Sequence, residues 1–90
     1  MNNQNTYKYI TSANTYTLAG ETKRIALGAV NINKTLNGTL TLKAGSTTIG
    51  VFAAGTLPGE YLYSSNGTEI EDLKFVNTST EDVLVFYRNI

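Results

Sequence analysis

Apolar residues in this chain recur in short alternating runs and nowhere at helical spacing, which confines the chain to an all-β fold. Eight such runs are readable: Tyr7–Thr11, Thr15–Ala19, Arg24–Ile32, Thr39–Lys43, Thr47–Phe52, Tyr61–Tyr63, Leu73–Val76 and Val83–Tyr87. In the second, Tyr16 and Leu18 alternate with Thr15 and Thr17, the period of a half-buried strand. Asn, Gly, Ser and Thr fill the gaps, as turn chemistry requires. Strands this short, spaced about ten residues apart, predict one β-sandwich, jelly-roll-like or Greek-key, over residues 7–90. Residues 1–6 read as a flexible or partner-ordered arm.

Several positions carry sharper expectations. In Arg24–Ile32 the apolar phase switches between Ile25, Leu27, Ala29 and the pair Val30, Ile32, so either a β-bulge sits near Gly28 or both strand faces are buried with no bulge. Asn37-Gly38 predicts a type I′ hairpin turn. It would open a meander over residues 30–52, with Leu40, Leu42, Ile49 and Val51 facing inward and a second turn at Ala44-Gly45 or Gly45-Ser46. Pro58-Gly59 suits a type II turn, and Asn66-Gly67 a further tight one.

Composition narrows the function classes. Ninety residues support only a thin core, and small domains often add disulfides, metals or partners. With no Cys and no His, the first route is closed and the second has no soft ligands, which leaves self-association, for instance as a trimer. Residues 1–59 hold five basic residues against Glu21 alone, and residues 60–90 hold two against six acidic ones. Either the molecule is bipolar, or strands from the two halves interleave their charges, and the second is the preferred reading. Thr, Asn and Ser make up 29 of the 90 residues, so the surface is largely neutral hydroxyl and amide. No basic run interleaves with aromatics, so nucleic acid is not an expected partner. The polar start of the chain lacks the pattern of a signal peptide and no apolar stretch matches a transmembrane helix, so synthesis in a cytoplasm and no membrane contact are expected.

Without imidazole or thiol, catalysis would rest on carboxylates, and the one cluster is Glu69-Ile70-Glu71-Asp72. It lacks the cleft that paired-carboxylate chemistry needs in so small a domain, and with Asn66 it lacks the spacing of a Ca²⁺ loop. A solvated acidic turn is the expectation, with no enzyme activity, metal or cofactor. The serines have no base to activate them, and no phosphate-binding glycine string is present. Sequons at Asn33, Asn37, Asn66 and Asn77 read as turn chemistry rather than glycosylation. Tyrosines are the best recognition residues left, because each joins an apolar ring to a hydroxyl. Candidate interface residues are therefore Tyr7, Tyr9, Tyr61 and Tyr63, with Asn2 and Asn3 of the arm. Tyr61 and Tyr63 share a strand face, pointing outward together if Leu62 is buried and inward if it is not.

The run Leu27-Gly28-Ala29-Val30-Asn31-Ile32-Asn33, the segment Gly38–Gly45 and the closing Asp82–Tyr87 strand together resemble small accessory virion proteins of tailed bacteriophages, the head-decoration and fibre-like β-modules. The likeness spans roughly residues 22–88 and is one of pattern. It implies a β-sandwich that assembles on itself or on a major coat protein, located in the virion, without catalysis or cofactor. The expected function is a capsid decoration or cement protein at coat-subunit junctions. The alternative is a tail- or fibre-associated module that recognises a host-surface glycan.

Overall fold

The computed structural model describes residues 5–18, 23–62 and 68–89, and all of its regular structure is β. Among the described residues nine strands form: β1 (Asn5–Ile10), β2 (Asn14–Thr17), β3 (Arg24–Ile32), β4 (Leu40–Ala44), β5 (Thr47–Phe52), β6 (Gly59–Leu62), β7 (Thr68–Glu71), β8 (Leu73–Asn77) and β9 (Val83–Asn89). One sheet runs β1-β9-β3-β6, with β7 continuing β6's side of β3, and the other runs β2-β8-β4-β5. Every pairing is antiparallel.

The topology is that of one long hairpin rolled up. From its tip between β4 and β5, the chain pairs β4 with β5, β3 with β6 and β7, β2 with β8, and β1 with β9. Rolling then sets β9 against β3 and β8 against β4, which completes two sheets. If β6 and β7 count as one interrupted strand, this is the eight-strand jelly roll.

The core between the sheets follows from strand alternation. Ile25, Leu27, Val30 and Ile32 of β3 and Val83 and Val85 of β9 meet Leu40 and Leu42 of β4 and Leu73 and Phe75 of β8, all buried. β3 is central, with neighbours on both sides, and a register shift against β9 between Leu27 and Ala29 places a bulge at Gly28. That bulge moves the inward set from odd to even positions, so Leu27 and Val30 both reach the core. Ala26 and Ala29 are buried as well, so β3 is covered on both faces, but the register shift makes the bulge the explanation that holds. A Cβ at Gly28 would stand 3.3 Å from the Phe86 carbonyl oxygen, tighter than an ordinary contact.

Several turns differ from expectation. Asn37-Gly38 closes no hairpin: β3 and β4 lie in different sheets, and residues 33–39 carry the chain between them. The meander over residues 30–52 therefore reduces to the β4–β5 hairpin. Its turn is Gly45-Ser46, with Gly45 at φ +63° as a type II′ turn demands at that position. Gly59 begins β6, and the positive φ falls at Gly55 (+90°), where Thr56 N–H donates to the Ala53 carbonyl at 3.1 Å. The type II turn thus uses Ala54-Gly55 in place of Pro58-Gly59.

Ile49 and Val51 are the clearest reversal, at 46% and 58% exposed. Phe52 pairs with Leu40 and Gly50 with Leu42, which puts those residues on the inner face. A register shift between Leu42 and Lys43 then makes Ile49 the extra residue of a bulge. The large Phe52 ring, packed on the core, sets the phase that Val51 would otherwise have taken.

β7 was not legible as a strand. Glu69 and Glu71 alternate with buried Ile70, opposite Ala26 and Arg24 of β3. Asp72 alone then carries the chain from one sheet to the other, at φ +56°. Its N–H donates to the Lys23 carbonyl and its own carbonyl accepts from Gly45 N–H, both at 2.9 Å. Charges from the two halves interleave here: Arg24 meets Glu69 at 3.5 Å on the strand pair that joins them.

Candidate functional site

Two surfaces stand out, and they share one residue. The first is the outer face of the β1-β9-β3 sheet. Alternation sends Ile10, Val83 and Val85 inward and leaves Tyr7 and Tyr9 of β1 outward, opposite Phe86 and Leu84 of β9. Tyr7 is 64% exposed and Tyr9 50%. The Tyr7 and Phe86 rings meet edge to face, with centroids 6.5 Å apart. Aromatic surface of this kind is enriched at protein interfaces. The outer face of the opposite sheet differs, because it presents Thr15, Thr17, Thr41, Lys43 and Lys74 around the aliphatic Val51 and Val76, with no aromatic ring among the described residues.

The second surface is an open cleft of about 380 Å³ at the end of the sandwich where the β1–β2, β3–β4 and β8–β9 loops converge. Asp82, just before β9, forms one wall. Its Oδ1 accepts from the Tyr9 hydroxyl at 2.6 Å and from the Asn33 side-chain amide at 3.0 Å. The Tyr9 bond, then the Asn33 bond, and last the nearby Lys34 ammonium hold the Asp82 carboxyl below its usual range. The same contact raises Tyr9, because its ionisation would surrender the bond to Asp82 and set two negative charges side by side. Lys34 and Thr35 line the far side, with Thr11, Asn37 and Thr80 around them.

Glu81 forms the floor and holds the end together. It is 7% exposed, and its carboxylate accepts the Asn37 N–H on both oxygens at 3.0 Å and the Gly38 N–H on Oε2 at 2.8 Å. Its own N–H donates to the Thr11 carbonyl at 2.6 Å. One buried residue therefore ties three loops, its carboxylate holding the β3–β4 loop and its backbone N–H the β1–β2 loop. Asn37 donates its side-chain amide to the Thr80 carbonyl at 2.9 Å, and Asn77 donates its own to the carbonyls of Ser12 and Ser79. Gly38 is required by space: a Cβ would lie 2.7 Å from Thr78 Oγ1 and 3.0 Å from Ser79 Cβ. The Asn-Gly pair that suggests a hairpin is thus a backbone ligand for Glu81. In the first of these loops, the Tyr16 hydroxyl accepts from Ser12 N–H (3.1 Å) and donates to the Ser12 carbonyl (3.0 Å). The Ser12 hydroxyl 3.2 Å away, foremost, and the N–H groups of Thr11 and Ser12 lower the Tyr16 pKa.

The candidate residues divide among these places. Tyr7 and Tyr9 occupy the outer face together. Tyr61 turns inward instead, its ring 5.2 Å from that of Phe52 and its hydroxyl donating to the Leu57 carbonyl at 2.8 Å. The inward alternative for that strand is the one adopted, because Tyr61 pairs with core-facing Val30. Tyr63, Asn2 and Asn3 lie outside the described residues. Glu69 and Glu71 line a strand rather than a cleft, and among the described residues no three acidic side chains gather to the size of a metal site. Nothing in the sequence groups Lys34, Asn37, Glu81 and Asp82. Their only sequence signal is polarity in two loops more than forty residues apart. No family model matches the chain, and no curated protein or solved structure is found similar to it.

Proposed function

We propose that this chain is a non-enzymatic module that docks on a protein lattice through the outer face of its β1-β9-β3 sheet. Within that class we read it as a virion structural protein, a capsid decoration protein seated at coat-subunit junctions. The carrying observation is an aromatic asymmetry between the outer faces: Tyr7 and Tyr9 stand exposed beside Leu84 and Phe86 on one, while the described residues of the other present threonine, lysine and the aliphatic Val51 and Val76. A rigid aromatic row on a flat sheet gives large contact area at low entropic cost, as docking surfaces need. The jelly roll serves virion and lectin domains alike, so the fold supports this reading without carrying it. The virion assignment draws on the resemblance of the β3, β4 and β9 segments to phage accessory proteins.

Quantitative mass spectrometry of particles purified from a lysate of the source tests it. Abundance comparable to the major coat protein supports decoration, and absence from particles overturns the virion reading. Tyr7→Ser removes the most exposed ring of the face from a folded domain, and its occupancy on particles should fall while the thermal midpoint shifts by no more than the few degrees that loss of the Phe86 contact explains. Unchanged occupancy would remove the face from the argument.

A further inference from the structure

The loop-end cleft has a chemistry that docking through a sheet face does not use. We propose that it is a binding site for a neutral saccharide, with the Tyr9 ring as stacking platform and the Asp82 carboxylate, Lys34 and Asn37 as hydrogen-bonding partners for sugar hydroxyls. Its volume of about 380 Å³ lies near the lower bound of small-ligand pockets, which suits a sugar ring and not a large cofactor.

Each wall offers what a polyol needs. Tyr9 is half-exposed, and its hydroxyl is pinned to Asp82 Oδ1 at 2.6 Å, so the ring is held by its far end and keeps a face for the apolar side of a sugar. Both hydrogen bonds to Asp82 fall on Oδ1. Among the described residues Oδ2 has no partner, which leaves an ionised acceptor for charge-assisted bonds from hydroxyls. Asn37 has committed its side-chain amide N–H to Thr80, so its Oδ1 remains as an acceptor. Lys34 supplies donors, and Thr35 and Thr80 add hydroxyls that act in either sense.

The charge balance argues for a neutral ligand. Lys34 is the single cation of the lining and stands against Asp82 and Glu81, so a phosphate or carboxylate meets net repulsion. A divalent cation is disfavoured too, because the Glu81 oxygens are occupied by the N–H groups of Asn37 and Gly38. The walls are organised in advance: Asn33 N–H donates to the Asp82 carbonyl at 2.9 Å and Glu81 N–H to that of Thr11 at 2.6 Å, so little ordering is left to oppose binding.

This site stands apart from the docking reading, since Tyr7 belongs to the face alone, Lys34 to the cleft alone, and Tyr9 to both. The test is an amide NMR titration of the full chain with a panel of neutral hexoses, deoxyhexoses, N-acetylhexosamines and their disaccharides, with inorganic phosphate in parallel. We expect saturable shifts confined to the amides near Tyr9, Lys34, Asn37 and Asp82, with Kd on the order of 1 mM. Asp82→Asn should weaken binding at least about tenfold and Lys34→Ala several-fold, while Tyr7→Ser leaves it unchanged. Both substituted side chains are at the surface, and a retained dispersed spectrum confirms folding. Silence across the panel, a response to phosphate alone, or binding that survives Asp82→Asn would each overturn the assignment.

Discussion

Replacing Glu81 with alanine should be among the most damaging single changes at the loop end of this domain, even though it removes a charged side chain outside the apolar core. Its carboxylate accepts two backbone donors, Asn37 N–H shared between both oxygens and Gly38 N–H on Oε2. A hydrogen bond to a charged group contributes about 1.5–3 kcal/mol, and an orphaned buried donor costs about 1–3 kcal/mol. Asn37 is exposed and Gly38 half-buried, so water can reach the first donor more easily than the second. The expected loss is therefore about 2–4 kcal/mol, near the low end of that sum. A domain of this length holds roughly 5–13 kcal/mol in all, so the loss is a large fraction of it. The thermal midpoint should drop by about 10–30 °C, read by far-UV circular dichroism and checked by urea denaturation. Glu81→Gln should fall between, because it keeps one acceptor oxygen but turns an amide N–H₂ toward two N–H donors. Glu60→Ala, at an exposed acid of β6, serves as control and should stay within about 0.5 kcal/mol of the parent. If Glu81→Ala also stays within about 0.5 kcal/mol, the carboxylate's bonds to Asn37 and Gly38 are not what holds this end.

Gly38→Ala should destabilise by about 1–3 kcal/mol in the same denaturation assay, since its Cβ must displace Thr78 Oγ1 and Ser79 Cβ. At the inter-sheet corner, Asp72→Val should cost about 1–3 kcal/mol because a β-branched residue resists φ +56°, while Asp72→Gly should be close to neutral; equal effects would show that backbone strain is not the issue. Titration of the tyrosine ring carbons by NMR should find Tyr16 ionising before Tyr9, because contacts with Ser12 and Thr11 favour the Tyr16 phenolate while Asp82 opposes the Tyr9 one. For the Tyr9–Asp82 pair the sign follows at both ends. Asp82 is lowered in the folded state, so its contribution holds above the ordinary carboxylate pKa and is lost as pH falls through the folded value. Tyr9 is raised, so its contribution holds below about pH 10 and is lost as pH rises through its folded value. Asp82→Asn should remove the carboxylate's part of this dependence in stability-against-pH curves, and curves identical to the parent would refute the coupling.

Strand formation was legible wherever a run carried its own alternation. β3 and β5 begin and end where their residue pattern says, and Leu40 and Leu42 face the core as spaced. β7 escaped because its only apolar residue in the middle, Ile70, lies between two glutamates, so the segment reads as an acidic turn until β3 is placed beside it. The cleft escaped for a related reason. Glu81 and the Asn37-Gly38 backbone are over forty residues apart, and nothing local says that a carboxylate will take the place of a hairpin partner.

By itself the sequence determined the class of fold, because period-two alternation between turn residues is a property of each segment and needs no partner. It determined the bulge at Gly28 as one of two readings, since a change of phase is visible within a single strand. Tertiary structure alone decided which face of β5 is inside. Residues i and i+2 share one face and i+1 takes the other, so a shift of one residue in register exchanges core for solvent. Pairing with β4 through Leu40 and Leu42 therefore turned Phe52 inward and left Ile49 and Val51 in water. Rolling the hairpin brought Tyr9 to Asp82 across 73 residues and Asn37 to Glu81 across 44, and both candidate surfaces exist only because of that closure.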